Sequence, residues 1–164
     1  MAGDMFLKFE GIDGESTDAQ HEKWIAIESF THNVTQPVSA ASGTGGRTGG
    51  KADFGDFIFT KTIDAATPEL YLHCANGKHI PKVDIDFCLA TEDKHVYMTY
   101  TLEDVIVSSV TPAGSTSDAD GAKPAEQVSI AYGQIEWEYT PIDDSGNPGA
   151  AVKKGWDLEK NEQK

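Results

Sequence analysis

The feature that most restricts this chain is its period-two alternation of apolar and polar residues. It is clearest in Lys82-Val83-Asp84-Ile85-Asp86-Phe87-Cys88-Leu89. Successive side chains of a strand point to opposite faces, so Val83, Ile85, Phe87 and Leu89 share a buried side. Lys82, Asp84, Asp86 and Cys88 then lie on a wet or interfacial one. The same rhythm runs through Met5 to Glu10, Trp24 to Phe30, Asp56 to Thr60 and Val96 to Leu102, then Val105 to Val110, Val128 to Tyr132 and Ile135 to Tyr139. That gives about eight strands. Short links such as Glu92-Asp93 join neighbours antiparallel, which favours a barrel or sandwich over a parallel sheet.

One segment departs from this rhythm. Thr67-Pro68-Glu69-Leu70-Tyr71-Leu72-His73-Cys74-Ala75-Asn76-Gly77 carries a helix start and a helix stop. Threonine can cap the first free amides, and proline loses no needed hydrogen bond at the first helical position. Glu69 complements the positive end of the dipole, and Gly77 can take the left-handed conformation that ends a helix. The spacing predicts a helix over about 64–76, with Leu70, Cys74 and Tyr71 against the sheet. Three stretches read as loops: 35–53, which includes Gly43, Gly45, Gly46, Gly49 and Gly50; 111–125; and the run from Pro141 onward. Loops of more than about 12–15 residues are uncommon in compact domains and are usually functional. The first has a reason to exist as an arm docked on a neighbouring subunit.

The 164 residues fit one domain, 1–164, with a mobile tail expected over about 157–164. Acidic residues outnumber basic ones 27 to 13, a net charge of −14, so phosphate backbones and anionic lipid surfaces would be repelled. No nucleic-acid partner is expected. No stretch approaches a membrane span. Asp4, Lys8 and Glu10 leave no apolar signal-peptide core, so the chain is expected in the cytosol unless a signal-independent machine exports it. A reducing cytosol, with Cys74 in a helix and Cys88 in a strand, argues for free thiols.

The search for chemistry is empty. Gly45 to Lys51 matches most of a phosphate-binding loop, but Ala52 stands where a magnesium-binding hydroxyl belongs, and a strand-like run follows. Asp53-Phe54-Gly55 spells a kinase tripeptide without the other kinase elements. The histidines lack metal-ligand spacing and read as packing or surface residues. Asp84 and Asp86 could be paired carboxylates of a hydrolase, yet alternating acids on an exposed strand are more often a solvated face. No catalytic residue, metal or cofactor is expected.

Several segments together resemble the haemolysin co-regulated protein (Hcp) family of type VI secretion. They are Asp4 to Ser16; His21 to Phe30, with histidine before tryptophan; Gln36-Pro37-Val38-Ser39 leading into the Gly-rich arm; Phe57 to Lys61; Ile63 to Leu70; Asn76 to Ile80; Ile135 to Tyr139; and Gly155-Trp156-Asp157-Leu158. The resemblance implies a β-barrel of two antiparallel sheets with one flanking helix, assembled into a hexameric ring. Rings of the family stack into a tube that a contractile sheath drives outward, tipped by the VgrG spike protein, and some shelter effector cargo. The chain would then be a structural subunit and not an enzyme, cytoplasmic before firing and afterwards secreted. The interface residues would be Val38, Gly43, Gly45, Gly46, Arg47, Gly49, Gly50 and Phe54, the arm lying across the adjacent protomer. Assembly between such acidic subunits should tighten with salt. The alternative is a monomeric barrel carrying a small ligand or protein cargo in its own interior.

Overall fold

The structure is a computed structural model that describes residues 3–39, 46–114 and 122–164. In chain order its elements are β1 (Asp4–Phe9), β2 (Ile25–Ile27), β3 (Ser29–Thr31), β4 (Val34–Thr35), β5 (Val38–Ser39), β6 (Thr48–Gly49), β7 (Asp53–Phe54), β8 (Phe57–Thr62), α1 (Thr67–Asn76), β9 (Ile80–Cys88), β10 (Val96–Ala113), β11 (Ala125–Tyr139), β12 (Val152–Asp157) and β13 (Glu162–Gln163). The fold is mainly β with one helix. The main sheet runs β13-β12-β11-β10-β9-β1-β2, and β8 pairs with both β11 and β3. Every pairing is antiparallel.

The alternating residues form the core. Leu7, Phe9, Val83, Ile85 and Phe87 are buried, together with Ile25, Ile27, Phe57, Phe59, Val128 and Ile130. Several details differ from the sequence reading. The strand expected from Trp24 to Phe30 is two strands that break at Glu28. Its first half pairs with β1 and its second with β8, while the Glu28 amide donates to the Thr60 carbonyl at 2.8 Å. Apolar residues on both faces mark a strand that changes partners.

The four runs Val96–Leu102, Val105–Val110, Val128–Tyr132 and Ile135–Tyr139 are two long strands, β10 and β11. Burial shifts phase within each: Leu102 and then Val105, Tyr132 and then Ile135. Asp104 lies in the left-handed region (φ 53°), level with Gly133, between the pairs Glu103–Gln134 and Val105–Tyr132. The buried face changes there while the register holds, and the register shift of this pair falls further along, between Val107 and Ser109.

The helix begins with Pro68 near its start and ends at Gly77 (φ 66°), whose amide donates to the His73 carbonyl. Thr67, however, does not cap it. Its hydroxyl donates to Glu126 at 2.7 Å and accepts from the Asp64 amide at 3.0 Å. Asp64 makes the local turn instead, accepting from the Ala66 amide at 2.9 Å. Thr67, Leu70 and His73 form the buried face, with Cys74 against the core, whereas Tyr71 faces out. The chain after Asp157, expected to be a mobile tail, turns back so that β13 pairs along β12, and Lys164 pairs with Glu136 at 2.9 Å and Glu103 at 3.2 Å. Cys74 and Cys88 are free thiols.

Candidate functional site

Within the expected arm, the described residues on either side of 40–45 pair as a stepped hairpin. Val34 and Thr35 pair with Phe54 and Asp53, and Val38 and Ser39 pair further out with Gly49 and Thr48. Ser39 and Thr48 add a hydroxyl contact at 2.8 Å. Among the described residues, the four strands of the hairpin pair with one another and not with the main sheet. Val34 and Val38 are 45% and 57% exposed, a poor position for two valines unless something covers them. The arm also inverts the charge of the chain. Between residues 35 and 53 the charged side chains are Arg47, Lys51 and Asp53, on a protein of net charge −14.

Of the residues expected at an interface, Val38, Gly46, Arg47, Gly49 and Gly50 lie on this hairpin and are exposed. Gly43 and Gly45 lie outside the described residues. Phe54 sits differently. It stacks on Trp137 of its own chain, with ring centroids 6.3 Å apart and planes 15° apart, and packs against the core.

The root of the hairpin contains residues that sequence reasoning missed. The Gly55 amide donates to the Asn33 carbonyl at 3.0 Å, closing the neck. Tyr132 donates its hydroxyl to the Gly55 carbonyl at 2.9 Å, and His32 Nε2 lies within hydrogen-bond distance of the Tyr132 hydroxyl oxygen. Phe30 and His32 rest on an aromatic group formed by Phe57, Tyr100 and Tyr132, with Phe87 beside Phe30. Burial holds His32 below its ordinary value, and burial, with help from Asp56 and Tyr100, pushes the Tyr132 hydroxyl up. No local pattern points to these partners, since Tyr132 and Gly55 are 77 residues apart.

The tempting polar residues have structural partners. His21 is buried, its Nδ1 and Nε2 each 2.9 Å from a carboxylate oxygen, of Asp18 and Asp86 respectively, and it stacks on Phe6. Lys94 pairs with Asp18 at 2.6 Å and Asp4 at 2.9 Å. Asp84 and Asp86 accept from Thr101 and Thr99 across the strands, so this face is tied together as well as wet. Among the described residues no cluster of His, Cys, Asp and Glu is arranged to hold a metal.

The family model described as "Type VI secretion system effector, Hcp" matches residues 6–139. The chain belongs to the Hcp family. It is 35% identical to Protein hcp1 of Pseudomonas aeruginosa over 165 residues, which covers 99% of both chains. A solved structure of a type six secretion system protein superposes with a TM-score of 0.94 at 34% identity, covering 99% of this chain and 100% of that one. Hcp1 from Salmonella typhimurium gives 0.82 at 34%, over all of both chains. A type VI secretion system effector from Yersinia pestis gives 0.73 at 30%, over 94% and 99%. Hcp is a structural family of type VI secretion, exported by that system, and not an enzyme family.

Proposed function

We propose that this Hcp chain is the building block of a type VI secretion inner tube: six copies form a ring, and rings stack. The observation that carries this reading is the arm. It is a hairpin with exposed valines and a local excess of basic charge on an acidic body. A ring needs one surface of each subunit to meet a different surface of the next. An arm bearing Arg47 and Lys51 is suited to an acidic neighbour of the same sequence. Salt should screen repulsion between whole subunits more than short contacts at the arm, so moderate salt favours assembly.

The strand pair β2–β3 supports a closed barrel. It joins β1 on one side to β8 on the other, which would complete the circuit β1-β2/β3-β8-β11-β10-β9-β1. Phe9, Phe57, Phe59, Ile85, Leu102 and Ile130 occupy the space between these strands. Cargo would therefore travel in a lumen between subunits, which weighs against the monomeric carrier. The further partners of this reading are the VgrG spike, the contractile sheath and small effectors, with the chain cytoplasmic until firing.

Light scattering coupled to size exclusion, with negative-stain imaging of the same peak, tests this. A mass of six chains with annular particles is expected. A monomer at micromolar concentration, at low and high salt alike, would refute the ring and favour the carrier. Removing residues 40–50 should abolish rings and leave a folded monomer.

A further inference from the structure

The neck of the arm is held at two points. The first is polar. Tyr132 has one hydroxyl proton, and the Gly55 carbonyl takes it at 2.9 Å. The tyrosine oxygen can then only accept from His32, which puts the imidazole proton on Nε2. The directions in which burial moves both groups keep them in this state near neutral pH. The second point is apolar: Phe54, the residue before Gly55, lies on Trp137. Tyr132 and Trp137 are both on β11, so a single long strand carries both clamps. Between them the Gly55–Asn33 hydrogen bond ties the two sides of the hairpin together. Further out, among the described residues, the arm's strands pair with each other and not with the main sheet.

We infer that His32, Tyr132 and Phe54 are positioning residues for assembly, which aim the arm at a second copy of the chain before that copy arrives. This rests on the reading that the arm docks on an adjacent subunit. An arm free to swing loses its orientational freedom on docking, and that loss opposes association. A clamped neck has lost the same freedom during folding, so docking is less opposed. Loosening the neck should weaken the ring more than it weakens the subunit.

Tyr132→Phe retains the ring of the side chain and removes both hydrogen bonds of the clasp. Ring dissociation, followed by sedimentation velocity across a dilution series, should shift to about tenfold higher concentration per interface. Ile80→Val, a core truncation on β9 where Ile80 is buried opposite Val105, is the control for lost stability and should leave the rings as tight as in the parent. His32→Ala should act like Tyr132→Phe, and His32→Gln, whose amide can donate to the tyrosine oxygen, should recover most of the loss. This pair decides the matter even if Tyr132→Phe folds poorly. Rings that survive removal of residues 40–50 would overturn the docking role itself. Rings that need residues 40–50 but tolerate both Tyr132→Phe and His32→Ala would overturn the clamp alone.

Discussion

Replacing Lys61 by methionine should cost the fold about 3–5 kcal/mol, the range for removing one partner of a buried ion pair. The Lys61 side chain is 0% exposed, with its ammonium 2.6 Å from Glu126 Oε1 and 2.7 Å from Asp64 Oδ1. It also donates to the Thr62 carbonyl and the Thr67 hydroxyl, each at 3.2 Å. Glu126 is equally buried, and its second oxygen, Oε2, has no partner among the described residues. Without Lys61 this carboxylate keeps one neutral donor, the Thr67 hydroxyl at 2.7 Å. Asp64 retains the Ala66 amide and some exposure, so the penalty falls on Glu126. Methionine replaces most of the lysine stem, which keeps the cavity contribution small. Urea unfolding followed by tryptophan fluorescence should move to lower midpoint by about 1–2 M at unchanged slope. Protein concentration must be held fixed, because assembly adds stability by mass action. The double variant Lys61→Met with Glu126→Leu removes the stranded charge and should recover much of the loss. A single variant within about 1 kcal/mol of the parent would refute the reasoning, as would a double variant no better than the single.

Three further outcomes follow from other sites. Lys94 foremost, then His21, holds the Asp18 carboxyl at about 2, so the stability it contributes is present above the unfolded value near 3.8 and is lost as pH falls towards 2. Lys94→Ala should therefore raise the midpoint of acid unfolding, and an unchanged midpoint would show the pair to be idle. Burial, reinforced by Asp86, pushes the Cys88 thiol up to about 11, so a maleimide at pH 8 should modify the half-buried Cys74 first and reach Cys88 only after denaturation; equal rates would contradict this. A Cβ added at Gly14 would stand 2.6 Å from the Trp24 carbonyl oxygen and 2.9 Å from Ile25 Cα, both backbone, so Gly14→Ala should cost about 1–3 kcal/mol, and an unchanged melting temperature would argue against that close approach.

Much of the fold was legible because its signals are local. The alternation from Met5 to Phe9 and from Val83 to Phe87 names the core face of two strands, and Pro68 and Gly77 bracket the helix. The same signals misled where a neighbour overrode them. Thr67 looks like a cap, but Lys61 and Glu126 claim its hydroxyl. Tyr71 looks apolar enough to pack, yet the turn of the helix buries His73, whose ring bonds the Glu69 carbonyl at 2.7 Å. Phe54, expected to anchor the arm at a subunit interface, also stacks on Trp137 of its own chain. The long Gly-rich stretch marked the arm, while nothing near His32 or Tyr132 marked its root.

By itself, then, the sequence determined the strand-rich class, the inward faces, the helix, the acidic character and, through the order of its segments, the Hcp family. Each of these depends on residues a few positions apart or on a pattern carried along the chain. Tertiary structure decided that Ile25 to Thr31 serves two partners, that two strands run on unbroken past Asp104 and Gly133, that Lys61 and His21 are sealed among acids, and that Tyr132 holds Gly55. The physical reason is that a strand's hydrogen bonds and a buried charge's partners come from distant segments. Their identities are set only when the sheets pack and each polar group removed from water must find a specific neighbour.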